Sequence, residues 1–97
     1  MPALSLQRRD RVAEIRDRHD VDLRRLVRRR ATPDATLVRS ACAQAWGELV
    51  DADRVDLGPP LWSALAWVTT RAMQRAYELA DEQARASAEP TATLPKF

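Results

Sequence analysis

The placement of glycine and proline constrains this chain more than any other feature. Both glycines fall at Gly47 and Gly58, and the prolines fall at positions 2, 33, 59, 60, 90 and 95. That punctuation leaves three long stretches, and long stretches poor in turn residues read as helices. The expected fold is all-α, a compact bundle of three long helices at 5–30, 33–51 and 60–85. It becomes four if the first breaks near His19, where Asp20 would cap the continuation. Unbroken, that stretch is one rod of about 38 Å at the α-helical rise. Residues 1–86 form a single helical domain in this reading, and Ser87 to Phe97, rich in Ser, Pro, Thr and Ala, reads as a mobile tail.

Apolar spacing supports each helix. In the first, Val12, Ile15, His19, Leu23, Leu26 and Val27 recur at three- and four-residue intervals. In the second, Val38, Ala41, Cys42, Ala45, Trp46, Leu49 and Val50 do the same. Its start is marked by Thr32, whose hydroxyl can accept from free amides, then Pro33 and Asp34. In the third helix the apolar side reads Leu61, Leu65, Val68, Ala72, Ala76, Leu79 and Ala80, widened by Trp62, Thr69, Met73 and Tyr77. Trp67 falls elsewhere, among Thr70, Arg71, Gln74 and Glu78. The pattern predicts a buried Trp46 and a Trp67 at least partly exposed.

Charge is distributed unevenly. Fifteen of the sixteen basic residues are Arg, and ten of them lie between Arg8 and Arg30 with five acids among them. The remainder of the chain is net acidic. A basic arm of this kind suits a polyanion or an acidic protein face as well as solvent. Cys42 stands alone, so no disulfide framework is expected, and the stretch from Met1 to Gln7 is too short for a secretory h-region. No apolar run has the length of a membrane span. The expected location is the cytoplasm.

The inventory of reactive side chains is thin. The one His and the one Cys each sit on an apolar stripe, where packing accounts for them. No His or Cys pair has metal-ligand spacing, and Asp51, Asp53 and Asp56 lack the pattern of a calcium loop. Neither enzyme chemistry nor a cofactor or metal is expected, so function should lie in surfaces. One is the outer face of the second helix, Arg39, Ser40, Ala43, Gln44, Gly47 and Glu48, small and weakly charged. The other is the polar stripe of the third, where Trp67 could stack on an unpaired base while Thr70, Arg71, Gln74 and Arg75 contact base edges or phosphates.

Three strings carry a resemblance: Leu-Arg-Arg-Leu-Val-Arg-Arg-Arg at 23–30, Ser-Ala-Cys-Ala-Gln-Ala-Trp at 40–46, and Leu-Ala-Trp-Val-Thr-Thr-Arg-Ala at 65–72. In this order they resemble region two of bacterial sigma factors of the extracytoplasmic-function type. The resemblance implies a helical domain that associates with promoter DNA and with core RNA polymerase. The second helix, through Arg39, Ser40, Ala43, Gln44 and Gly47, would dock on the clamp helices of the beta-prime subunit. The third would open and read the minus-ten element, with Trp67 against the edge of the melted bubble and Arg71 with Gln74 facing the last paired bases. The segment from Asp51 to Pro60 would receive a flipped base.

Members of that family continue into a helix-turn-helix region, for which this chain has no residues. The resemblance therefore implies region two alone, completed by a second polypeptide or held by an anti-sigma protein. The same residues leave another reading open: a small helical protein–protein adaptor or homodimer that keeps the fold without binding DNA.

Overall fold

The structure is a computed structural model that describes the backbone of residues 2–93 and the side chains of residues 7–87. Among the described residues it is all-helical: α1 spans Pro2–Arg30, α2 Ala35–Asp51 and α3 Trp62–Thr93. Together they form a three-helix bundle. The first helix is one rod, unbroken at His19. Asp20 therefore caps nothing; its Oδ1 accepts the indole N–H of Trp46 across the core, at 2.8 Å. Arg28, Arg29 and Arg30 in the last turn of α1 oppose the partial negative charge there.

The second helix starts later than Pro33, and its cap is not Thr32. Asp34 is extended at the N-cap, and its Oδ1 accepts from the amides of Thr36 at 2.9 Å and Leu37 at 3.2 Å. A carboxylate serving two amides, and favoured by the helix dipole, outcompetes a hydroxyl two residues earlier. The buried Thr32 instead accepts from the Asp34 amide at 3.3 Å.

The third helix starts at Trp62 rather than Pro60, and continues past Arg85 to Thr93. Ala84, Arg85, Ala86 and Ala88 are strong helix formers, which favours the extension as far as Glu89, and Pro90 falls in the last turn. Residues 94–97 lie outside the described part.

The core is assembled around α2, which packs extensively on α3, less on α1, while α1 and α3 barely meet. Trp46, Ile15, Leu49, Val27, Val68 and Cys42 are its largest fully buried side chains. On α3 the buried seam is Ala64, Val68, Ala72 and Ala76, a ridge of every fourth residue. Against it α2 buries Ala41 and Ala45, so small side chains allow the two helices to approach closely. This rotates α3 from its expected setting: Trp62 and Tyr77, expected to widen the buried side, are 78% and 53% exposed. Tyr77 gains a different role, its hydroxyl donating to the Arg30 carbonyl at the end of α1.

Arginines of α1 secure the loop between α2 and α3. The Arg8 guanidinium donates to the carbonyls of Leu49, Val50, Ala52 and Val55, and Arg11 Nε donates to Leu57 O at 3.1 Å. Val55 and Leu57 of that loop pack into the core. Among the described residues, no helix is long and apolar enough to cross a membrane.

Candidate nucleic-acid interface

Helical periodicity places Ser63, Trp67, Thr70 and Gln74 on one stripe of α3. With Ala66 and Arg71 they line one shallow, open depression. The rear of the Trp67 ring packs against the core, so it is half-buried and held from behind. Thr70 uses its hydroxyl locally, donating to the Ala66 carbonyl at 2.9 Å. Gln74 offers its amide at the other end, its Oε1 accepting from Arg71 Nη1 at 3.1 Å. The result is an aromatic wall with amide and guanidinium edges. Ser63 and Ala66 were absent from the expected site, although Ser63 lies one turn before Trp67 on the same stripe.

The arginines behave differently from expectation. Arg71, read from sequence as a free DNA contact, donates from Nε to Glu48 Oε1 at 3.0 Å and from Nη2 to Glu48 Oε2 at 3.1 Å. Arg75 is outside the depression's lining and pairs with Glu48 at 3.4 Å and Glu78 at 3.1 Å. The two cations thus face two carboxylates. The Arg71 hydrogen bond holds the Glu48 carboxyl below its usual range, with the charges of both arginines adding to the effect. Glu48 in turn raises the Arg75 guanidinium. Fixed in a fork, the Arg71 plane has a set orientation at the depression's edge, and its charge is largely compensated.

Glu48 also joins this site to the outer face of α2. There Arg39, Ala43, Gln44 and Gly47 are exposed, and the half-buried Ser40 accepts from Gln44 Nε2 at 3.2 Å. Ala43 and Gly47 form one wall of a groove whose other wall is Arg9, Ala13 and Arg16 of α1, with Trp46 and Val50 between. A Cβ built on Gly47 meets nothing within 4 Å, so nothing inside the chain requires glycine there.

The loop expected to receive a flipped base is tied to α1 at three carbonyls. Those of Ala52 and Val55 accept from Arg8 and that of Leu57 from Arg11, and Asp56 Oδ1 accepts from the Gly58 amide at 2.9 Å. Cys42 and His19 sit where packing put them in the sequence reading, Cys42 buried beside Asp20 and His19 half-buried on α1. Burial, with the Asp20 charge adding, pushes the Cys42 thiol up to about 11. Among the described residues, no group of three His, Cys, Asp or Glu side chains is placed to hold a metal ion. Comparison with family models, curated proteins and solved structures returns no match.

Proposed function

We propose that this chain is a transcription module of the sigma region-two type, taking an unpaired base of promoter DNA against Trp67 and docking on core RNA polymerase through the outer face of α2. One observation carries the reading: Trp67, Thr70, Arg71 and Gln74 line a single open depression whose aromatic wall is braced by the core. A ring held from behind loses little entropy on stacking, and its flat face offsets the lost stack of a melted base. The Gln74 amide and the Nη1 edge of Arg71, whose fork is held by Glu48, supply base-edge contacts. Because Glu48 and Glu78 compensate Arg71 and Arg75, stacking rather than phosphate attraction dominates at this site. The three-part sequence resemblance supports the same reading and adds the polymerase partner. Such a module works in the cytoplasm, with a second polypeptide or an anti-sigma protein as a further partner.

The test is a fluorescence titration with an A·T-rich single-stranded oligonucleotide, paired with a pull-down of core RNA polymerase. Trp67→Ala should weaken oligonucleotide binding by about 1–3 kcal/mol. Unchanged affinity overturns the stacking role. Polymerase captured without any oligonucleotide binding would favour the adaptor reading, which the charge compensation at Glu48 supports.

A further inference from the structure

A second surface lies on the opposite flank of α3. Because α1 and α3 barely touch, an apolar cleft of about 160 Å³ opens between them, walled by Leu23, Leu26, Leu65 and Val68, with the Trp46 ring at its base and His19 at its lip. Asp22 also borders the cleft. Arg18, Arg25 and Arg29 stand four residues before it and three and seven after it, the spacings that share one face of a helix, and all three are exposed. Across the cleft, Trp62 stands one turn before Leu65 on the same side of α3 and is 78% exposed. The flank of α3 formed by Trp62, Leu65, Ala66, Thr69 and Met73 carries no charge.

The arginines of α1 divide by what they touch. Arg8 and Arg11 are engaged by loop carbonyls, and Arg24 Nε lies 3.0 Å from Asp20 Oδ2. Arg25 meets Asp22 only at 3.9 Å, with both side chains more than seven-tenths exposed. Arg18 and Arg29 make no ion pair among the described residues, nor do Arg9, Arg16, Arg28 and Arg30, which helical spacing places on other faces of α1. The rim therefore presents three cations against one acid.

We propose that this α1/α3 face docks an acidic amphipathic helix of another protein. An apolar stripe at i, i+3, i+4 and i+7 fills the cleft and covers Trp62, while flanking carboxylates meet Arg18, Arg25 and Arg29. Trp and Arg are the side chains on which such interfaces concentrate their binding energy. A phosphate backbone satisfies the cations but leaves the cleft and the indole uncovered, which favours the helix over nucleic acid. This face goes beyond the Trp67 site and shares only Ala66 with it.

The test uses a synthetic helical peptide with leucines at those four positions and flanking glutamates, a matched peptide with lysines in place of the glutamates, and a duplex oligonucleotide. Binding is read from indole emission, with Trp62→Phe assigning the signal. The acidic peptide should bind at least ten times more tightly than the lysine peptide. Arg18→Gln, Arg25→Gln and Arg29→Gln together should weaken it about tenfold, at about 0.5 kcal/mol per exposed pair, while the thermal melt stays unchanged. Trp67→Ala should leave it intact, so that loss of oligonucleotide binding at Trp67 and loss of peptide binding here are separate results. The proposal is overturned by equal binding of both peptides, by a triple variant that binds normally, or by a face that takes only duplex. Sedimentation showing the face already covered by a second copy also overturns it.

Discussion

Replacing Arg8 with Met removes a side chain that ties α1 to the far end of α2. Its guanidinium reaches Val50 O and Leu49 O at 2.9 Å and Val55 O at 3.1 Å, and also engages Ala52 O. The carbonyls of a helix's last turn have few partners of their own, and a cation there meets the negative end of the helix dipole. A hydrogen bond from a charged donor contributes about 1.5–3 kcal/mol when well sheltered. Arg8 is only partly buried, so water replaces part of what is lost, and the set is worth about two such bonds at the lower end of that range. The expected loss is about 2–4 kcal/mol, a large share of the 5–15 kcal/mol typical of a domain. For a chain of this length it corresponds to a fall in Tm of roughly 10–30 °C. Urea melts followed by circular dichroism measure it. Arg8→Lys keeps the charge but not the fork, and should recover only the dipole part, about 0.3–1 kcal/mol. A loss below about 1 kcal/mol for Met, or complete rescue by Lys, would refute the capping argument.

Other expectations follow from single contacts. Gly47→Ala should raise stability by about 1 kcal/mol in urea melts, because the new methyl group meets nothing within 4 Å and the helix gains propensity; a lower midpoint would show that α2 is packed there. Glu48→Gln should matter only above the acid range. The Glu48 pKa is lowered in the fold, so its stabilisation is complete above the ordinary value of 4.5 and is lost as pH falls through the lowered value. Melts of wild type and variant should therefore differ at neutral pH and converge in acid, and a constant gap would contradict the Arg71 pairing. Trp46→Ala should cost about 3–5 kcal/mol, since the indole is 2% exposed at the centre of the core. Cys42, with its thiol held up to about 11 by burial, should react with a thiol reagent at neutral pH only as fast as the domain opens.

Existence and order of the helices were legible because Pro33 and the run Gly58, Pro59 and Pro60 fall at the two connections, while Gly47 and Pro90 lie inside helices without ending them. Trp46 was legible as core because it sits on a stripe that repeats without interruption. The setting of α3 was legible only in part, and the reason is size. Val68, Ala72 and Ala76 stand on the expected apolar side, but hydrophobicity also directs attention to Trp62 and Tyr77, whereas close packing against α2 selects Ala64, which a hydropathy count barely registers. The cap of α2 went to the wrong neighbour because Thr32 and Asp34 are both good N-cap residues, and only the backbone at Asp34 decides between them.

Charge was the least legible property, and the error has a common cause. Sequence spacing pairs charges within a helix, but the pairings that matter here cross between helices: Asp20 with Trp46, Glu48 with Arg71 and Arg75, Arg8 with the end of α2. Each converts a charge that looked free into one that holds the bundle. Arg71 and Arg75 have most of their field offset by Glu48 and Glu78 in this way, and the donors of Arg8 and Arg11 are occupied by backbone carbonyls. What the surface presents to a partner is therefore the remainder after those pairings, spread along α1 and including Arg18, Arg25 and Arg29 beside the cleft, rather than beside Trp67. A polyanion and an acidic helix feel that remainder alike at long range, so net charge does not separate them. Discrimination falls to the apolar groups beneath the cations, a braced indole on one flank of α3 and a cleft with an exposed indole on the other.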